Sequence, residues 1–132
     1  MRTPSTLLFL CLATAALGGC LSGGPGRSLA PASTSVAALQ GGLIGQSTAL
    51  SLPADAQRKA LEAEYQALQF GRVGMPVTWE EDGLRGEVVP TQLYRVGSQD
   101  CRGYTHTVQR NGASVRQVGT ACRSGELWTP VA

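Results

Sequence analysis

The chain of 132 residues has few charged residues, few aromatic residues and a single histidine. Charged side chains make up 15% of it, compared with roughly 25% in an ordinary soluble domain. Its net charge of +2 is too small for a nucleic-acid-binding protein, which needs a concentrated basic stripe. No apolar run reaches the roughly 18 residues of a membrane-spanning helix. The length predicts one small domain, with or without a tail.

The first twenty residues have the pattern of a bacterial lipoprotein signal. Residues 1–2 supply a positive charge, residues 7–13 are an apolar run, and residues 17–20 read Leu-Gly-Gly-Cys. These parts, in this order, are typical of a secretory signal that is removed after export. The small residues before Cys20 form a lipobox, in which the thiol receives a diacylglycerol. We therefore predict a lipoprotein signal peptide over residues 1–19 and lipid attachment at Cys20. The alternative is an ordinary signal peptide cut nearby, with Cys20 a free thiol.

A cysteine that carries two or more acyl chains is a stable membrane anchor. Residue 21 is Leu rather than Asp, and this favours the outer membrane over retention in the inner membrane. The sequence therefore predicts a lipid-anchored outer-membrane protein, modified with palmitate or a similar acyl chain. It does not distinguish the periplasmic face from the cell surface.

Residues 20–49 are poor in charge and rich in Gly, Ser, Ala and Pro. Such a composition buries too little apolar surface to offset chain entropy, so we predict a flexible tether. Within it, residues 41–45 read Gly-Gly-Leu-Ile-Gly, and glycines four residues apart allow helices to approach closely in lipid. The alternative for this segment is a mildly apolar linker. The folded domain is predicted over residues 50–132.

The domain begins with a helical pattern and continues with strand patterns. Residues 53–70 contain no internal Gly or Pro and place apolar side chains at three- and four-residue steps, which predicts one amphipathic helix. Strand-like segments follow at residues 75–80, 85–89, 92–96, 100–109, 113–122 and 127–129. Asp82-Gly83 and Asn111-Gly112 are hairpin signals between them. The predicted fold is α+β, with the helix packed on an antiparallel β-meander of four to six strands.

Two of the four cysteines are predicted to form a cross-strand disulfide. If Asn111-Gly112 is a two-residue loop, facing residues have numbers that sum to 223, as Cys101 and Cys122 do. The pair that flanks the turn is hydrogen-bonded, and facing pairs then alternate between non-hydrogen-bonded and hydrogen-bonded along the strands. Cys101 and Cys122 therefore form a non-hydrogen-bonded pair, with Cα atoms about 4.5 Å apart. That separation lies within the disulfide range of about 4.4–6.8 Å. A secreted domain with facing cysteines is expected to bridge them.

The residues with chemical potential are few and scattered. We name Trp79, Arg95, Arg102, His106 and Arg116 as candidate contacts for a ligand or partner, because arginine suits carboxylates and phosphates and tryptophan suits glycans. The sequence contains no phosphate-binding loop, nucleophile elbow or two-histidine metal motif. We expect His106 to be a hydrogen-bonded structural residue. The prediction is no enzymatic activity, no cofactor and no metal.

Several segments carry a resemblance to a known family. Residues 101–108 (Cys-Arg-Gly-Tyr-Thr-His-Thr-Val) and 119–123 (Gly-Thr-Ala-Cys-Arg) are the most specific; residues 41–45, 63–68, 71–79, 88–90, 94–96 and 128–131 add to them. Together they resemble the 17 kDa surface antigen family of bacterial outer-membrane lipoproteins. That family has a lipobox and a glycine-zipper stretch before this domain; here the zipper is abbreviated, with Gln-Ser-Thr at residues 46–48. The resemblance implies place and architecture, and it implies no enzymatic activity.

Two functional hypotheses follow. The first is a non-catalytic outer-membrane lipoprotein with a structural or assembly-related role in the cell envelope. The alternative is a periplasmic binding module or inhibitor that recognises an envelope glycan or a lysozyme-like hydrolase. The candidate partners are the membrane, through the N-terminal lipid, and peptidoglycan, lipopolysaccharide or another envelope protein.

Overall fold

The computed structural model describes residues 33–131 as one antiparallel sheet with three helices. The helices are α1 (Thr34–Ala37), α2 (Gly42–Gly45) and α3 (Ala54–Phe70); the strands are β1 (Val77–Glu81), β2 (Leu84–Val96), β3 (Gln99–Arg110), β4 (Ala113–Ser124) and β5 (Leu127–Val131). The sheet order is β1-β2-β3-β4-β5, so every strand pairs with its neighbour in sequence. This is the predicted antiparallel meander, with five strands. The predicted signal peptide and Cys20 lie outside the described residues.

Helix α3 packs mainly against β1 and β2 through a face of small side chains. Pro53 occupies its N-cap position, Asp55 lies in the first turn, and Gly71 follows the last residue. The buried residues of this helix are Ala56, Ala60, Ala63, Glu64, Ala67 and Leu68. Because four of these six are alanines, the helix backbone can approach the sheet closely, and one glutamate is carried into the interior with them.

The two hairpin signals are confirmed. Asp82 and Gly83 have φ angles of 49° and 74°, and Asn111 and Gly112 have φ angles of 49° and 81°. Positive φ at both central residues defines the type I′ turn, whose twist matches that of the flanking strands. The segments 85–89 and 92–96, predicted as separate strands, are two halves of β2. A register shift between Pro90 and Leu93 divides them, and β2 pairs with β3 on both sides of that bulge.

The disulfide and its register are confirmed. Strands β3 and β4 pair from Asp100↔Arg123 to Arg110↔Ala113, so all facing numbers sum to 223. Cys101 and Cys122 face each other and are bonded, with Cα atoms 4.0 Å apart. The close spacing agrees with a non-hydrogen-bonded pair, in which side chains approach most nearly.

Residues 34–45 belong to the folded core, and the prediction of a flexible tether up to residue 49 is wrong over this segment. Leu39 is fully buried and Ile44 is 3% exposed. Leu43 packs against Gly119 on β4, where a side chain would collide with it. The segment is low in charge, but its few large apolar side chains are all buried. Glycines next to them allow the chain to turn sharply between α1 and α2.

Removing the disulfide is expected to destabilise the domain. The double variant Cys101→Ala with Cys122→Ala should lose about 3 kcal/mol of unfolding free energy, because an open chain of this loop length gains entropy when unfolded. Thermal unfolding followed by circular dichroism measures the change. A reducing agent should lower the melting temperature of the unsubstituted protein to that of the variant and leave the variant unaffected. Equal melting temperatures without reductant would contradict the expectation.

Candidate functional site

Four polar side chains form a hydrogen-bonded network in the interior between α3 and the sheet. Glu64 and His106 are fully buried, Tyr104 is 1% exposed and Trp79 is 6% exposed. Glu64 comes from the buried face of α3, Trp79 from β1, and the other two from the inward face of β3. Polar groups taken out of water are costly unless they are hydrogen-bonded. The contacts among these four residues therefore decide whether the interior is stable.

His106 lies at the centre of this network and forms hydrogen bonds through both ring nitrogens. The Trp79 indole Nε1–H donates to His106 Nε2 over 2.8 Å. Because an indole N–H is only a donor, His106 Nε2 is an acceptor and the ring proton is assigned to Nδ1. His106 Nδ1 lies 2.8 Å from Glu64 Oε1, so it donates to the carboxylate. The arrangement fixes one tautomer of the histidine, with the indole ring edge-on to the imidazole at 5.9 Å between centroids.

The Glu64 carboxylate collects donors from three parts of the fold. Besides His106, it accepts from the Leu43 backbone N–H at 3.2 and 3.1 Å and from the Tyr104 hydroxyl at 3.3 Å. All of these partners are donors, which is the set an ionised carboxylate requires. One side chain therefore joins α2, α3 and β3, and through His106 it reaches β1.

Two glycines leave space for the side chains of this network. A Cβ at Gly42, where φ is +60°, would collide with the Glu64 carboxylate. A Cβ at Gly86 on β2 would collide with the Trp79 indole. The first glycine lets α2 bring its backbone N–H up to Glu64. The second leaves space against β2 for the indole, which reaches His106.

The environment of Tyr104 suppresses its ionisation. Burial raises the pKa of the Tyr104 phenol well above its usual value, and the negative charge and hydrogen bond of Glu64 raise it further. The phenol therefore stays protonated and continues to donate to Glu64. This is a structural hydrogen bond, and the ring itself is part of the core.

Arg102, one of the candidate ligand contacts, caps the C-terminal end of α3 from inside the protein. Its guanidinium donates to the carbonyl oxygens of Ala67, Leu68 and Gly71 at 3.2, 3.0 and 2.6 Å. Its Nε donates to the Thr91 carbonyl at 2.8 Å. Burial lowers the pKa of the Arg102 guanidinium from its ordinary value. A cation beside the last carbonyls of a helix is favourable because it opposes the negative end of the helix dipole.

The remaining candidate contacts lie apart from this interior site. Arg95 donates to Asp100 at 3.0 Å, and Arg123 donates to the same carboxylate at 3.0 Å. The hydrogen bonds from Arg123 and Arg95 lower the pKa of the Asp100 carboxyl. Arg116 is exposed on β4. The structure thus brings together only Trp79 and His106 of the five residues named from the sequence.

Sequence reasoning missed Glu64 as the partner of His106 and Tyr104 as a second donor to Glu64. A signal was present, since Glu64 sits among apolar residues on the inward face of a predicted helix and Tyr104 shares the inward face of β3 with the histidine. The cross-strand neighbour of His106 is Gln117, as the register predicted, so the acid is supplied by another element. Which helix residue meets which strand residue is a tertiary fact that neither pattern contains.

Comparison of the chain with protein-family models, with curated proteins and with solved structures gave no match. Among the described residues, no helix is long and apolar enough to cross a membrane. Residues 33–131 also contain no group of three or more His, Cys, Asp or Glu side chains placed to hold a metal ion.

Removing the central acceptor is expected to be costly. Glu64→Leu would leave the Leu43 N–H, the Tyr104 hydroxyl and the His106 ring N–H without a partner, so we expect a loss of about 3–5 kcal/mol. Glu64→Gln keeps one oxygen for His106 and Leu43, and the Tyr104 hydroxyl can turn to accept from the new amide. That variant should lose about 1–2 kcal/mol. Urea unfolding measures both; equal losses would contradict the proposed role of the carboxylate.

The raised pKa of Tyr104 predicts a loss of stability at alkaline pH. A folded pKa above the unfolded value of about 10 contributes stability that is full below that value and decreases as the pH rises past it. Tyr104→Phe removes this dependence, although at neutral pH it loses the bond to Glu64. The difference in unfolding free energy between the two proteins should therefore narrow above about pH 10. A difference that stays constant from pH 7 to pH 11 would refute the assignment.

Proposed function

We propose that the protein is a non-catalytic outer-membrane lipoprotein with a structural or assembly-related role in the cell envelope, anchored through an acylated Cys20. The observation that carries the non-catalytic part is the burial of His106. A general acid or base must reach a substrate, directly or through one water. Both nitrogens of this ring are instead bonded to protein groups inside a closed core. The lipobox at residues 17–20 carries the anchor.

The resemblance to the 17 kDa surface antigen family supports the same proposal. Its most specific segments, residues 101–108 and 119–123, supply the disulfide, the Arg102 cap of α3 and the two β3 side chains that bond Glu64. The residues on which the resemblance rests are therefore the residues that hold this fold together. A shared scaffold, rather than a shared reactive site, is what such a pattern would preserve.

The alternative, an inhibitor of a lysozyme-like hydrolase, would need a rigid exposed loop with groups free to enter a cleft. The acidic turn between β1 and β2, at residues 80–83, is the exposed loop that best fits this requirement. Its flanking carboxylates are engaged within the chain, Glu81 with Lys59 at 2.5 Å and Glu80 with Arg85 at 2.6 Å. This pairing gives the turn less to offer a partner and favours the structural proposal.

Blocking acylation tests the anchor. Cys20→Ser should abolish incorporation of labelled palmitate and remove the protein from the outer-membrane fraction, because two or more acyl chains supply the stable attachment. Cys11→Ser, in the apolar run of the signal, is the matched control and should keep both label and location. Label that persists in the Cys20→Ser protein would overturn the anchor.

Crosslinking in intact cells tests the role. Envelope proteins or polymers recovered repeatedly with the wild-type protein would support an assembly-related or structural function. A single co-purified glycosidase whose activity falls when the protein is added would instead establish the inhibitor.

A further inference from the structure

Strand β2 is longer than β1, the strand that pairs along its outer edge. The second half of that outer edge is therefore open. Strand β1 pairs only with residues 84–88 of β2, whereas β3 pairs with β2 as far as Val96. No strand in the described part of the chain pairs with the β1 side of β2 beyond Val88. Residues 91–99, which include the tip of the β2–β3 hairpin, are all exposed. Uncovered strand edges readily pair with another chain.

The register shows which backbone groups face this edge. Val96 and Gln99 flank a two-residue turn and form a hydrogen-bonded pair, and pairs alternate from there. Arg95↔Asp100 and Leu93↔Arg102 are therefore non-hydrogen-bonded pairs, whose β2 residues direct N–H and C=O away from β3. The position of the disulfide leads to the same assignment. Cys101 forms a non-hydrogen-bonded pair with Cys122, so its backbone N–H and C=O are directed toward Tyr94 on β2. Leu93 and Arg95 thus present two donors and two acceptors to the open edge.

Exposed apolar side chains surround these groups. On β2, Leu93 is 48% exposed, Tyr94 46% and Val96 57%. Phe70, the last residue of α3, is 67% exposed, and Val73 and Met75 in the loop that follows it are each 55% exposed. The loop lies beside the edge, since its Gly74 N–H donates to the Pro90 carbonyl at 2.9 Å. Apolar surface of this extent around unpaired strand groups is typical of an interface.

We propose that this open edge pairs with the same edge of a second copy of the chain, antiparallel and with a two-fold axis at Tyr94. In that register Leu93 of each copy faces Arg95 of the other. Each of these two pairs exchanges two backbone hydrogen bonds, so four bonds form and all four outward groups of each copy are used. The dimer is a continuous sheet of ten strands, and it is independent of acylation at Cys20.

Self-complementarity and charge favour a second copy over a different partner. The two outward-facing residues lie symmetrically about Tyr94, so one sequence satisfies both sides of an isologous interface. Asp100, which also binds Arg123, pairs with Arg95 within the protomer and so reduces the repulsion between the Arg95 side chains of the two copies. Tyr94 would meet its own counterpart in a non-hydrogen-bonded pair, where side chains are closest and aromatic pairs are favourable. The turn after Val96 would lie against the apolar loop of the other copy.

A proline substitution tests the pairing without disturbing the protomer. Leu93→Pro removes an N–H that points to the open edge and none that bonds β3, and proline is accepted on edge strands in this orientation. Leu93→Ala shortens the same side chain and keeps the N–H. In sedimentation equilibrium of the full chain in density-matched detergent, we expect a dimer for the unsubstituted protein. Leu93→Ala should weaken it less than tenfold, and Leu93→Pro should give a monomer with an unchanged circular dichroism spectrum.

A photocrosslinking pair tests the register in cells. A benzophenone side chain at position 94 should crosslink to residues 92–96 of a second copy. The same group at Val118, which is 70% exposed on the same sheet face but away from the edge, should not. A chain that is monomeric at millimolar concentration would overturn the proposal. A dimer that survives Leu93→Pro, or crosslinks from position 94 only to another protein, would overturn it equally.

Discussion

The fold depends on one buried carboxylate. Glu64 accepts hydrogen bonds from the backbone of α2, from Tyr104 and from His106, and His106 in turn accepts from Trp79. An ionised group in a closed interior is tolerated only if its hydrogen-bonding capacity is met, and here every partner is a donor. Helices and sheet are thus held in one relative placement. Apolar packing alone would fix that placement less exactly, because the helix face is largely alanine.

Another buried polar side chain, Arg102, also binds groups of the protein itself. The Arg102 guanidinium donates to carbonyl oxygens at the end of α3, so the helix is held at its C-terminal end by an arginine and near its middle by Glu64. Residue types that often perform chemistry are used here to satisfy backbone and side-chain groups of the protein itself. This use is what a small domain with few large apolar side chains requires, since its core alone buries limited surface.

The sheet is covered unevenly. Helices cover one face, and within residues 33–131 β1 pairs with only the first half of β2, so the second half presents apolar side chains together with backbone groups that no described strand pairs. Edge strands in stable monomers are usually shortened, charged or blocked by proline. Pro90 blocks the start of this edge and Pro130 lies on the opposite edge strand, while residues 93–96 contain no proline and their one charged side chain, Arg95, is paired with Asp100. Exposed apolar side chains and strand groups without a strand partner among the described residues therefore coincide at this segment.

Local signals in the sequence determined the order of the strands, the two type I′ turns and the disulfide. Asn111-Gly112 sets a two-residue loop, and from that loop the pairing of Cys101 with Cys122 follows by counting, since strand register has a period of two. The span of α3 followed from local propensity in the same way. These features rest on contacts between residues near in sequence or joined by one hairpin.

Only the tertiary structure decided what the inward-facing polar residues do. The meeting of Glu64 with His106 joins residues 42 apart, and that with the Leu43 N–H joins residues 21 apart. Such pairings depend on where a helix comes to rest on a sheet, and periodicity along the chain does not fix that position. The inclusion of residues 34–45 in the core was decided in the same way, because Glu64 accepts from the Leu43 N–H and Gly119 leaves space for the Leu43 side chain.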